Sequence, residues 1–236
     1  PYVLSKPHAE RVRAQGRAQG TQRERFDRQI EAADEMIGNV LAALQKRGLA
    51  DTTLVVVVGD HGEGFGDKGV KQHDINFYEE GLHVPWVIAG PRVPVRVIEP
   101  AASLADLAPT VLDLLGVSLS SDALAGTFAR SILREQPTNR VLPFGCYYDR
   151  SCRGFVVGRT KVVYVPETGE AFRFNLATDP EERQPLTLPD ELATTLAHVL
   201  AVIEAHRMST APQSHPAITR YPQWTCPAGR PCQPAP

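Results

Sequence analysis

Basic charge is not in surplus. The 236 residues carry 25 Lys and Arg against 27 Asp and Glu, a formal net charge of −2, so the electrostatic footprint of a nucleic-acid-binding protein is missing. No apolar run is long enough to cross a bilayer, and no signal peptide opens the chain. There is no initiator methionine: the chain starts Pro1-Tyr2, and the expectation is a portion of a longer protein. Cysteine is scarce. Cys146, Cys152, Cys226 and Cys232 form two C-x5-C pairs, not the C-x2-C spacing of zinc and thioredoxin-type sites. Structural disulfides in an oxidising compartment are expected, the alternative being four free thiols. Cys146 would pair with Cys152 and Cys226 with Cys232, or the pairs would cross-link the small sheet to the tail. No internal repeat occurs.

What is present is a 42% hydrophobic content, enough for a substantial core. Residues 1–20, rich in Arg, Gln and Ala, read as a polar surface segment. Thr21 and Glu24 then form a capping box, and Phe26, Ile30, Ile37, Leu41 and Leu44 follow at helical spacing until Gly48 stops the helix. Asp27, Glu31 and Asp34 make a solvated face. Leu54–Val58 is a continuous β-branched run, the pattern of a strand buried on both faces. Five glycines between 59 and 76 exclude a regular element there. Val84–Ala89 reads as a second buried strand, and Ser103–Leu115 as an amphipathic helix stopped by Gly116. This rhythm is that of an α/β domain with a largely parallel or mixed sheet. After about residue 135 the character changes. Val141–Phe144, Phe155–Val157, Lys161–Val165 and Ala171–Asn175 predict a small antiparallel sheet, Pro189–Met208 a last helix, and the Pro-rich end little regular structure. The expected domains are 1–135 and 136–236.

The valine run ends in Gly59-Asp60-His61-Gly62. In open α/β sheets ligands bind beyond the carboxyl ends of strands. A carboxylate beside an imidazole is a good donor pair for a divalent cation, and flanking glycines leave room for metal and substrate. His73 lies across a Gly-rich loop that can fold it back over the same place. The bland alternative is a turn whose Asp and His only satisfy local hydrogen bonds. His83, with Glu79 and Glu80, reads as packing and capping; His198 and His206 read as surface residues, and Asp106 as orienting its own helix.

The words TTLVVVVGDHGEGFGDKG, HDINFYEEGLHVPWVIAGP and SLADLAPTVLDLLG, in that order, resemble the C-terminal half of a sulfatase in the alkaline phosphatase superfamily. GRTKVVYV and FRFNLATDPEERQPL resemble its C-terminal subdomain, where a Lys-bearing strand precedes a Leu-x-x-Asp-Pro-x-Glu turn. The likeness covers roughly residues 20–190. It implies an alkaline-phosphatase-like α/β sandwich with a mostly parallel sheet, plus a small C-terminal antiparallel sheet with a helix. It implies a sulfate- or phosphate-ester substrate and a divalent metal ion (calcium, zinc or manganese) held partly by Asp60 and His61. His73 would protonate the leaving alcohol or bind a non-bridging oxygen.

Two departures matter. Gln72-His73-Asp74 stands where many soluble arylsulfatases have Lys-His, a placement closer to membrane-linked sulfatases and to phosphoethanolamine or phosphoglycerol transferases. That implies an extracytoplasmic protein, periplasmic or extracellular, anchored in the membrane-linked branch by transmembrane helices in the missing N-terminal half. The family's nucleophile, a formylglycine from C-x-P-x-R or a Ser/Thr, also belongs to that half; CPAGR at Cys226 has its Pro one residue early, and CQPAP at Cys232 lacks the Arg. A further family histidine is expected just before Pro1, and His8 is a poor substitute. The expected function is thus sulfuric ester hydrolysis, with phospho-head-group transfer or phosphoric ester hydrolysis as the alternative. A non-catalytic truncated remnant is the alternative of another class.

Overall fold

The structure is a computed structural model that describes residues 6–71, 73, 76–120, 124, 128–134, 137–146, 152–210, 224–225 and 233–234. The chain packs as two compact units, Pro1–Val58 with Pro85–Pro94, and Gly59–Val84 with Val95–Pro236.

In the first unit, α1 (Lys6–Ala14) leads to α2 (Gln22–Lys46). The Thr21–Glu24 capping box forms as expected, and Gly48, at φ 67, supplies the left-handed residue that ends the helix. The expected polar surface segment is in part a helix. His8 and Val12 are four apart, fall on one face and are buried, while Arg11 and His8 both reach Glu35 of α2 and Arg17 pairs with Glu31. The Asp27–Glu31–Asp34 face is therefore not purely solvated. His8 is committed to this packing.

Strands β1 (Val55–Val58) and β2 (Trp86–Ala89) complete the unit. They pair antiparallel, Val55 opposite Ala89 and Val58 opposite Trp86. Among the described residues no parallel pair occurs, a correction to the mostly parallel sheet expected. Parallel neighbours need a crossover of a dozen or more residues, most often helical; among the described residues between β1 and β2 the one helix is short, α3 (Glu79–Leu82). The valines are half-buried rather than buried; among the described residues β1 and β2 pair only with each other, which leaves much of each strand open.

The second unit is built on a four-stranded antiparallel meander. Its strands β3 (Val141–Gly145), β4 (Arg153–Val157), β5 (Thr160–Val165) and β6 (Glu170–Asn175) lie in sequence order. Period-two alternation gives each face its own cover. Phe155 and Val162 face helix α5 (Asp190–Thr210) through Leu196 and Val199. Val163, Val165 and Phe174 pack against Phe77 and Tyr78. Gly154 is obligatory, because a Cβ there would sit 2.0 Å from the Val162 carbonyl oxygen. Helix α4 (Leu107–Leu114) follows a Ser103–Asp106 capping box. Asp106 is fully buried: it accepts from the Ser103 and Arg130 amides and from both terminal nitrogens of Arg140. Cys146 and Cys152 form the expected disulfide. Cys226 and Cys232 lie outside the described residues, as do Gln72 and Asp74; of the tail, β7 (Trp224–Thr225) pairs antiparallel with β8 (Gln233–Pro234).

Candidate functional site

Asp60 and His61 open the loop that follows β1 in the chain. A close backbone approach sets the loop's path. The Gly62 amide donates to the Gly81 carbonyl at 2.8 Å and the Glu63 amide to the Glu80 carbonyl at 3.0 Å. A Cβ on Gly62 would lie 1.9 Å from the Glu80 oxygen, and one on Gly81 would lie 2.7 Å from the Asn76 oxygen. Only glycine permits this seam. It ties the Asp-His-Gly-Glu word to α3.

The seam presents two donors outward. The Asp60 side chain is 89% exposed, and its Oδ2 lies 3.7 Å from His61 Nε2. His61 Nδ1 lies 2.8 Å from the Gly62 carbonyl. A carbonyl only accepts, so Nδ1 carries the hydrogen, and in the neutral ring Nε2 keeps its lone pair on the side of Asp60. That is the tautomer a metal ligand needs, with the backbone carbonyl as the orienting partner. Ligand bonds of about 2.0–2.2 Å from carboxylate oxygen and imidazole nitrogen can meet across 3.7 Å. The donor pair therefore fits a divalent cation. Among the described residues no group of three or more His, Cys, Asp or Glu is placed to hold a metal ion by itself.

The Gly-rich loop does bring His73 to this place. Its ring stacks on His61, centroids 3.9 Å apart and planes 14° from parallel. Its Nδ1 lies 3.5 Å from the Oε1 of Glu63, whose side chain is nearly buried. The Asn76 amide donates to the His73 carbonyl, and buried Asn76 in turn donates to Glu80. His83 ends α3 with its amide donating to Glu79 but is itself exposed, so it caps without packing. His198 is exposed as expected, and the side chain of His206 lies outside the described residues.

Sequence reasoning missed the support beneath the loop. Lys161 of β5 is fully buried, with its Nζ 2.6 Å from Glu79, 2.6 Å from Glu182 and 3.1 Å from the Phe77 carbonyl. Glu182 also accepts from the Glu79 amide at 2.6 Å. Lys68, from the loop, stands 3.6 Å from Glu182 and 3.7 Å from Glu80, over the Tyr78 ring. Burial first, then the carboxylates of Glu182 and Glu80, push the Tyr78 phenol above its ordinary range. The signal was in the text: a lysine inside an otherwise apolar strand needs a partner, and the Tyr-Glu-Glu and Asp-Pro-x-Glu words contain the only kind that serves.

A family model described as sulfatase matches residues 1–117. Among curated proteins, Arylsulfatase K of Bos taurus is 27% identical over 63% of this chain and 30% of its own length. A Delta 4,5-hexuronate-2-O-sulfatase of Bacteroides thetaiotaomicron is 26% identical over 76% of this chain and 40% of its own. The chain thus spans well under half the length of these relatives. A solved structure from Bacteroides thetaiotaomicron described as a sulfatase superposes with a TM-score of 0.56 at 23% identity, over 75% of this chain and 41% of that one; this likeness supports the alkaline-phosphatase-like α/β fold.

Proposed function

We propose that this chain, whose residues 1–117 match the sulfatase family model, is the C-terminal portion of a metal-dependent sulfuric ester hydrolase. The observation that carries the reading is the convergence of Asp60, His61 and His73 on one loop. Asp60 and His61 would hold the cation, calcium, zinc or manganese. When bound, it would offset negative charge on the nucleophile and on the sulfate oxygens.

Hydrolysis of a sulfate monoester breaks the bond from sulfur to the leaving oxygen, which keeps the electron pair and needs a proton. Water's oxygen ends in the released sulfate. Glu63 Oε1 faces His73 Nδ1 at 3.5 Å, and the imidazole would protonate the leaving oxygen or donate to a non-bridging one. The nucleophile, and the remaining metal ligands, would come from sequence outside these residues. The Cys146–Cys152 disulfide supports an extracytoplasmic home. Among the described residues no helix is long and apolar enough to cross a membrane. The position of His73, five residues before Tyr78, favours a second reading in the same superfamily: transfer or hydrolysis of a phosphate ester.

Paired assays test both. The complete polypeptide is expected to turn over p-nitrophenyl sulfate in a chelator-sensitive way, and the 236-residue chain alone to be silent, because residues that act as a unit do not retain a share of the rate when separated. Chelator-sensitive turnover by the chain alone would place the nucleophile within it. A complete protein active only on p-nitrophenyl phosphate would shift the reading to phosphate. His73→Ala in the complete enzyme should slow esters of poor leaving groups more than those of good ones; equal losses would leave His73 as an oxygen binder.

A further inference from the structure

Glu182 stands out in the loop's support. Its side chain is fully buried, and its backbone sits at φ 52, in the left-handed region, although it is not glycine. Such a conformation persists only where its surroundings over-determine it. Here one carboxylate serves three elements. One oxygen takes the Lys161 ammonium from β5, at 2.6 Å. The other takes the Glu79 amide at the start of α3, at 2.6 Å, and faces Lys68 of the glycine-rich loop at 3.6 Å. The Asp179 carboxylate, accepting from the Arg183 and Gln184 amides, holds the turn that carries it.

We propose that Glu182 is a positioning residue for the Asp60–His61–His73 loop. Fixing Glu79 and Lys68 fixes residues 79–81, and the Glu80 and Gly81 carbonyls are what hold the Gly62 and Glu63 amides. The order of this loop's backbone is thereby set by a fully buried residue far along the chain. The tether stands on these contacts alone; its consequence for cation binding rests on the function proposed above.

Amide hydrogen exchange on the full-length protein tests it, with Mn2+ alone as the cation probe. Glu182→Gln keeps the shape and removes the charge. Exchange at Gly62 and Glu63 should accelerate about tenfold or more, while the β4 and β5 amides change less than about twofold, and Mn2+ should bind about tenfold more weakly. Lys68→Met, which leaves β5 untouched, should give a smaller change at the same two amides and keeps the test open if Glu182→Gln does not fold. Unchanged exchange at Gly62 and Glu63 in the folded variants would overturn the proposal. So would loss of protection spread evenly through β4 and β5, which would make Glu182 a general stability residue. Accelerated exchange at the two amides in a protein whose wild type does not bind Mn2+ would uphold the tether and remove manganese from the cations named above.

Discussion

Asp60 and Asp106 both sit in words shared with the sulfatase family, and their surroundings are opposite. Asp60 presents an 89% exposed carboxylate on a glycine seam, within reach of one imidazole nitrogen. Asp106 is fully buried, and two backbone amides and a bidentate arginine use its oxygens. A carboxylate saturated by fixed donors is a structural knot. One left facing outward beside a lone pair is available for chemistry. The same division separates His61 and His73 from Lys161 and Glu182: the first pair is partly exposed, the second fully buried.

Exchanging each aspartate for alanine is the largest test of that contrast. Asp106→Ala leaves the buried Arg140 guanidinium without its carboxylate and should cost about 3–5 kcal/mol in chemical denaturation. Asp60→Ala should change stability by less than about 0.5 kcal/mol while lowering turnover of the complete enzyme at least about a hundredfold. Matching stability losses would show that Asp60 is structural as well.

Gly62→Ala sharpens the comparison from the backbone side. The added methyl meets the Glu80 carbonyl oxygen, so the seam must open. A cost of about 1–3 kcal/mol is expected, together with weakened Mn2+ binding; full Mn2+ affinity would show that the seam does not place the donors.

The smallest effect is at Asp179. Backbone hydrogen bonds from Arg183 and Gln184 hold its carboxyl below the ordinary value of 3.8. A lowered folded-state pKa contributes stability that is present above the unfolded value and is lost as pH falls through the folded one. Thermal unfolding from neutral pH down into that range should therefore show an acid limb that Asp179→Asn flattens. The two proteins should differ most near neutrality and converge in acid. Unequal acid limits would point to a loss beyond these two bonds.

Much of the secondary structure was legible because its causes are local. Thr21 with Glu24, and Ser103 with Asp106, are capping boxes three residues apart. Gly48 and Gly116 stand at positive φ where the periodic stretches stop, and the small sheet follows from short apolar runs with turns between them. Two readings failed where distant partners decided. The Arg-rich opening segment became α1 because His8 and Arg11 find Glu35. The valine strand paired antiparallel, its partner returning through a stretch whose described residues hold only the short helix α3.

By itself the sequence determined where elements begin and end, which strands alternate, and that an Asp-His pair follows a β-branched strand amid glycines. These depend on neighbours a few residues away, and the polypeptide's short-range sterics and hydrogen bonding settle them. Only the tertiary structure decided which carboxylates are left to act and which are consumed. Lys161 meets the Phe77 carbonyl across 84 residues, and Glu182 meets the Glu79 amide across 103. Desolvation makes such buried charges intolerable without a partner, so the packing that brings those partners together also sets which charged groups remain facing outward.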